Sequence, residues 1–236
     1  MQMSNWVPTL SFALFLLVSS GEGQVAKRSP ATPRLIAGEY VRNDYLDGLE
    51  ETHSPSKSLA FGTPQLVIAR LEKTGLTLIT IFNFHDGGAE FLLHPDGTVG
   101  TLVDAGFVTA NLSFKIIDSH HLVLGFDKFL SQTYTFVGDI AQYSREVLLA
   151  GEYLDQKGRH YIFGHDGTAT FPDRTFQYSV GTDQVLNRFD YFQDDTQKEV
   201  FGFRKSGNTL EIFHTSGEIN QHVDKTPFLS LRMRAK

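Results

Sequence analysis

Residues 112–126 read Leu-Ser-Phe-Lys-Ile-Ile-Asp-Ser-His-His-Leu-Val-Leu-Gly-Phe. Leu112, Phe114 and Ile116 alternate with Ser113 and Lys115, and after Asp118-Ser119-His120 the alternation returns at Leu122, Leu124 and Phe126. Successive side chains of a strand point to opposite faces, so each run has one apolar face and the polar triplet reverses the chain. The stretch predicts a β-hairpin, and the same unit recurs on both sides of it. Tyr134 and Phe136 alternate with Thr133 and Thr135, and Phe176, Tyr178 and Val180 alternate with Gln177 and Ser179. Leu66 to Leu71 and Leu76 to Phe84 flank Glu72-Lys73-Thr74-Gly75, a hairpin loop closed by glycine. Pro95-Asp96-Gly97, His165-Asp166-Gly167, Ser206-Gly207-Asn208 and Ser216-Gly217 separate further apolar runs. Asp, Asn and Gly tolerate left-handed backbone, so these positions mark turns. No long amphipathic helix is expected after the N-terminus; Tyr143 to Ala150 predicts a short one. The fold class is all-β and antiparallel.

The chain of 236 residues contains no cysteine and carries a net charge of −6. Its N-terminus has a polar start, an apolar run from Leu10 to Val18, and the small residues Ser19, Ser20 and Gly21. That is the pattern of a cleaved signal peptide, which implies a secreted or periplasmic protein. The run falls short of the roughly 20 apolar residues a spanning helix needs, so no membrane span is expected after cleavage. Without cysteine the protein cannot be a disulfide scaffold and must rely on an ordinary core. A mildly acidic balance disfavours nucleic acid as a partner.

Self-similarity organises the remainder. Ile36-Ala37-Gly38-Glu39-Tyr40-Val41 recurs as Leu149-Ala150-Gly151-Glu152-Tyr153-Leu154. Phe91 and Leu93 before Asp96-Gly97-Thr98 match Tyr161 and Phe163 before Asp166-Gly167-Thr168. The landmarks lie further apart the first time, which predicts an insertion containing the acidic stretch Asp44 to Glu51 and the hairpin Leu66 to Phe84. The expected organisation is a signal peptide at 1–23, a Pro- and Ser-rich linker at 24–35, a first β segment with the inserted hairpin at 36–138, a connector at 139–148 and a second β segment at 149–236.

The order of a Gly-x-Tyr strand, an aromatic strand closed by Asp-Gly-Thr, another aromatic strand and a hairpin at Ser206-Gly207-Asn208 resembles the lipocalin-like small barrels of exported bacterial proteins. The resemblance covers Leu149 to His214 and, more faintly, Ile36 to Val137. It implies one barrel, or two tandem related β segments, and a ligand held inside. Tyr40 and Tyr153 stand where classical lipocalins carry the tryptophan of a Gly-x-Trp signature, and the only tryptophan is Trp6.

Candidate chemistry is sparse. His94 and Asp96 have the two-residue spacing that puts metal ligands on one strand face, whereas His85-Asp86 and His165-Asp166 do not. Neither histidine recurs between the segments, and His120-His121 falls in a turn, so no metal and no cofactor is expected. Nucleophile elbows, zincin helices and phosphate loops are missing after the leader. Glu39, Glu152 and Asp190 are the carboxylates whose convergence would support hydrolysis. Asp44, Asp47, Glu50 and Glu51, with Asp194-Asp195, read as solvated loops.

The aromatic residues Phe91, Phe114, Tyr161, Phe163, Phe176, Tyr178, Phe189 and Phe201 read as inward strand positions and candidate ligand-binding walls. The leading expectation is a binding protein that holds a small apolar or amphipathic ligand in a β-barrel. A structural or protein-interaction module with a solid core is the alternative, and a hydrolytic enzyme the third. A cavity of several hundred Å³ inside the barrel distinguishes the first from the second.

Overall fold

The computed structural model describes residues 34–62, 65–72, 77–83, 89–93, 99–104, 112–126, 129–182, 189–216 and 222–234. The expected leader, most of the linker, His85-Asp86 and His94 with Asp96 lie outside them.

Where the sequence alternates, the chain forms strands. β1 (Gly38–Arg42) is followed by two helices, α1 (Asn43–Thr52) and α2 (Pro55–Ser58). Seven strands then succeed one another: β2 (Gln65–Leu71), β3 (Thr77–Asn83), β4 (Ala89–Leu93), β5 (Val99–Asp104), β6 (Leu112–Ile116), β7 (His121–Phe126) and β8 (Phe129–Gly138). The order in the sheet is β5-β4-β3-β2-β1-β8-β7-β6, antiparallel throughout. Each strand pairs with its sequence neighbour, and β1 pairs with β8. Among the described residues no pairing joins β5 to β6. The sheet is nevertheless strongly curled, because the rings of Phe91 on β4 and Phe114 on β6 lie 6.1 Å apart.

A third helix, α3 (Ile140–Leu148), leads into the second sheet. Its strands are β9 (Gly151–Leu154), β10 (His160–Phe163), β11 (Thr168–Thr170), β12 (Thr175–Val180), β13 (Tyr191–Asp194), β14 (Glu199–Ser206), β15 (Thr209–Ser216), a two-residue β16 (His222–Val223) and β17 (Leu229–Met233). They run β9 to β15 in pairing order, β17 pairs with β15, and β17 closes onto β9 at Arg232 opposite Leu154. The result is a closed eight-stranded antiparallel barrel, with β16 continuing the pairing along β15 beyond β17. Closure leaves no barrel edge with unpaired backbone groups.

In both sheets the first strand pairs with the last. Counted this way, hairpin β2–β3 occupies the place of β10–β11, and the elements without a counterpart in the second sheet are α1 and α2. Phe91 and Leu93 then sit on a fourth strand, whereas Tyr161 and Phe163 sit on a second. The hairpin is therefore a regular part of its sheet rather than an addition to it.

The two Gly-Glu-Tyr strands begin with the same device. Gly38 and Gly151 have φ of 140° and 153°, a region that favours glycine. A Cβ on Gly38 would lie 2.8 Å from the Phe136 ring, and one on Gly151 3.3 Å from Met233 Cε. Two residues on, each tyrosine folds back. Tyr40 Oη lies 2.9 Å from the carbonyl oxygen of Ile36, and Tyr153 Oη donates to that of Leu149 at 2.8 Å. In both, the acceptor is four residues upstream.

The acidic stretch read as a solvated loop is helical instead. Tyr45, Leu46 and Leu49 are buried on one face of α1 while Asp47, Glu50 and Glu51 stay at the surface or near it. Apolar residues at i, i+1 and i+4 give a helix a face to bury, and the acidic residues between them hide that period. His53, in left-handed geometry at φ 49°, ends α1, and Ser54 caps α2 by accepting from Lys57 N. Asp139 caps α3 by accepting from Gln142 N at 2.9 Å, so α3 starts three residues before the expected Tyr143. The second acidic pair also departs from expectation. Asp194 is fully buried and accepts from Thr196 N and Gln197 N, while Asp195 accepts from Ser179 Oγ. A carboxylate at a strand end stays buried when turn amides satisfy it.

Two cores result. One, inside the first sheet, contains Tyr40, Val67, Ala69, Phe91, Leu93, Leu122, Leu124 and Tyr134. The other fills the closed barrel and extends through Leu148 and Leu149 to α1 and to Val41 and Leu66, on the opposite face of β1–β2 from Tyr40 and Val67. Each fully buried large apolar side chain contributes roughly 1.5–3 kcal/mol. No helix among the described residues is long and apolar enough to cross a membrane.

Candidate functional site

Of the eight aromatic residues expected to line a ligand chamber, five meet inside the closed barrel: Tyr161, Phe163, Phe176, Tyr178 and Phe201. They are joined there by Phe171 and Phe192, which the sequence reading did not single out. Phe163 is the hub, with ring centroids of Tyr153, Phe171, Tyr178 and Phe192 at 5.4 to 6.0 Å, all near perpendicular. Phe171 reaches Tyr161 and Phe176, each at 5.1 Å, and Phe192 stacks on Phe201 at 5.3 Å. At such separations the rings contact one another, edge to face except for the stacked Phe192–Phe201 pair, worth about 0.5–1.5 kcal/mol per pair beyond burial. These side chains fill the space they surround.

The other three lie elsewhere. Phe91 and Phe114 pair within the first sheet. Phe189 is half-buried outside the barrel, covering β14 where Gly202 offers no side chain: a Cβ there would lie 3.5 Å from its ring. The expectation that it points inward is corrected by this packing. The alternation that placed it is broken by a loop before β13.

Both mouths of the barrel are covered. At one, Arg145 Nε of α3 donates to His165 O at 3.1 Å and Lys205 Nζ donates to Val147 O at 3.3 Å, so the helix is tied to opposite rims. Burial pushes the Lys205 ammonium below its usual pKa. At the other, the Arg174 guanidinium lies 4.8 Å over Phe176 and 5.9 Å over Phe201. It also pairs with the buried Asp194 at 3.4 Å and with Glu199 at 3.2 Å.

The three carboxylates considered for hydrolysis do not converge. Glu39 Oε2 accepts from Ile140 N at 2.6 Å, at the start of α3. Glu152 pairs with Arg234 Nη1 at 3.2 Å on the barrel surface. Asp190 is buried and accepts from Ser56 N at 2.8 Å, joining α2 to the barrel wall. His121 pairs with Asp118 within its turn, and the hydrogen bonds it shares with this imidazole hold the Asp118 carboxyl below its usual pKa. His165 contributes its carbonyl to Arg145. Among the described residues no three His, Asp or Glu side chains cluster as a metal site.

Two concavities stand out among the described residues. A small one of about 180 Å³ lies in the seam between Ser54, Ser56 and Lys57 of the α2 region and the wall formed by Phe189, Gly202 and Phe213. The larger, about 940 Å³, is a groove at one end of the closed barrel, where β9 begins and β10 and β17 end, and it takes in the outward Glu152, Ile162 and Arg234 together with the inward Phe163 and Met233. Its apolar lining includes Ile162 and Met233; its polar lining includes Glu152, Arg234, His165 and Asn208. Ile162 faces outward because its neighbours Tyr161 and Phe163 face in, and it is 40% exposed. The rim is held by Arg234 N donating to Glu152 O at 2.8 Å and Met233 N donating to Asn208 O at 2.7 Å.

Sequence reasoning selected Glu152 as a repeated residue but not the groove. The available signal was Ile162, an apolar residue on the face of a strand whose other face already held two aromatics. No protein-family model, curated protein or solved structure matches the chain.

Proposed function

We propose that the chain is a secreted or periplasmic binding module of lipocalin-like build, made of two related β segments, whose closed barrel is a filled scaffold and whose binding surface is the outer groove at Glu152, Ile162 and Arg234. The observation that carries this reading is the contrast between ring packing around Phe163 and a concavity of about 940 Å³ on the same barrel's wall. That volume lies in the range of ligand sites, and an apolar floor with a few polar groups is their usual chemistry. Export is supported by the apolar run Leu10 to Val18 with its small-residue boundary. The lipocalin-like relation is supported by an eight-stranded barrel in which neighbours in sequence are neighbours in space. Relatedness of the segments is supported by the shared Gly-Glu-Tyr corner and by first-to-last strand pairing in both sheets. A ligand held among the barrel aromatics is the less favoured reading, since Phe163 already has four ring neighbours.

The test uses an amphipathic fluorescent dye, anilinonaphthalene sulfonate, with the purified full chain. Saturable fluorescence enhancement is expected, reduced about tenfold in affinity by Ile162→Asp and little changed by Phe176→Leu. Loss with Phe176→Leu and retention with Ile162→Asp would return the ligand to the interior.

A further inference from the structure

The seam cavity of about 180 Å³ between α2 and the barrel wall is lined by a carboxylate that the fold leaves short of partners. Asp190 is 8% exposed. Its Oδ1 accepts from Ser56 N at 2.8 Å, and among the described residues the carboxylate receives no other hydrogen bond and no ion pair. Asp194, the other buried carboxylate among the described residues, has two turn amides and the Arg174 guanidinium at 3.4 Å. A carboxylate has about four acceptor positions and is costly to bury without a compensating charge. What Asp190 lacks, by that comparison, is a cation. Three cations line the same cavity, and none pairs with it. The Arg204 guanidinium lies 5.3 Å over the Phe213 ring and 3.4 Å from Glu211, the Lys205 ammonium donates to Val147 O, and Lys57 stands exposed.

We propose that this cavity binds a single zwitterionic α-amino acid with a short apolar side chain. Its ammonium pairs with the buried Asp190, its carboxylate meets the exposed cations Lys57 and Arg204, and its side chain lies against Phe189, Phe213 and Val223. A buried carboxylate with cations toward the surface is complementary to that pair of charges and opposes either one alone. A plain amine is repelled by Lys57 and Arg204, and a plain acid by Asp190. The volume sets the size, since sites for larger molecules run to several hundred Å³. The site is separate from the groove at Glu152 and Ile162, with which it shares no lining residue.

The probe is L-valine, titrated against the full chain by saturation-transfer difference NMR. Saturable transfer to the valine methyls is expected. Isobutylamine, which lacks the carboxylate, and isovalerate, which lacks the ammonium, should each bind about tenfold more weakly or worse. Asp190→Asn should weaken valine binding about tenfold or more and Lys57→Met several-fold, while Leu71→Asp, an exposed apolar site on the other sheet, leaves it unchanged. Asp190 also ties α2 to the barrel, so the fold of Asp190→Asn is checked by its methyl spectrum. Lys57→Met alters an exposed side chain and decides the matter if the first variant unfolds. Absence of saturable transfer, or isobutylamine or isovalerate binding as tightly as valine, overturns the proposal. So does binding indifferent to Lys57→Met or to a folded Asp190→Asn.

Discussion

Glu39 and Glu152 occupy the same step of the same short motif, opposite an isoleucine in the same register, yet one caps a helix and the other makes a surface ion pair. The first sheet has α1 packed on its outer face at Val41 and Leu66 and α3 starting at Glu39, while Tyr40 and Val67 face a core of their own. The closed barrel has its interior filled with aromatic rings, and its corresponding outer wall is open as a groove. An antiparallel sheet with two usable faces can bury either one, and here the two sheets expose different surfaces for the rest of the molecule to use. The comparison teaches that a repeated residue need not mark a repeated site: the environment supplied by α3 decides what the glutamate does.

The largest expected effect breaks the filled interior. Phe163→Ala removes the hub of the ring cluster and should cost about 3–5 kcal/mol, read by chemical denaturation. Phe91→Ala, whose ring meets Phe114 alone among those described above, should fall at or below the lower end of that range. Next come the glycine corners. Gly38→Ala meets a phenylalanine ring and a positive φ, and should cost about 2–3 kcal/mol. Gly151→Ala shares the positive φ but meets the flexible end of Met233 at 3.3 Å and the Tyr153 ring at 3.4 Å, wider separations than at Gly38, and should cost less. A reversed order would mean that the close approach of the Phe136 ring does not set the cost at Gly38.

Alkaline pH sharpens the comparison of the two corner tyrosines. Burial pushes the Tyr40 hydroxyl up to about 12 and pushes Tyr153 further. Both groups keep their proton in the folded chain at pH values where the unfolded chain, titrating near 10, has lost it. Stability from them is therefore complete below pH 10 and declines as pH rises from there toward the folded values. Denaturation midpoints measured between pH 8 and 11 should fall above pH 10, and less steeply in Tyr40→Phe and Tyr153→Phe. At neutral pH each of these variants should lose about 1 kcal/mol for its hydrogen bond.

The smallest effects separate the glutamates. Glu39→Gln weakens the cap at the start of α3 and should cost about 1 kcal/mol. Glu152→Gln removes an exposed ion pair and should cost about 0.5 kcal/mol or less, with the difference vanishing in high salt. Equal costs would erase the distinction between covered and open walls.

Much of the β architecture was legible, because alternation at Leu112 to Phe126 and at Phe176 to Val180 and the turn at Ser206-Gly207-Asn208 are local signals. The helices were less so. In α1 the apolar residues Tyr45, Leu46 and Leu49 are embedded among carboxylates, and their purpose appears only when a second wall is there to receive them. Asp194 read as solvated because its partners, Arg174 and two turn amides, come together only after folding. For the site, five of the strand aromatics meet inside the closed barrel, but whether rings line a space or fill it depends on barrel width, which no local pattern reports. The groove was hidden for the same reason, since Ile162 and Arg234 lie far apart in sequence and meet through the closing pair β17–β9.

The most direct test of a filled barrel with an external binding face is methyl NMR of the isoleucine-labelled full chain during titration with anilinonaphthalene sulfonate. Ile162 lies in the groove and Ile212 is fully buried inside the barrel. The account predicts that the Ile162 δ1 methyl signal shifts with saturation while that of Ile212 stays in place. A shift at Ile212 with Ile162 unmoved would contradict it.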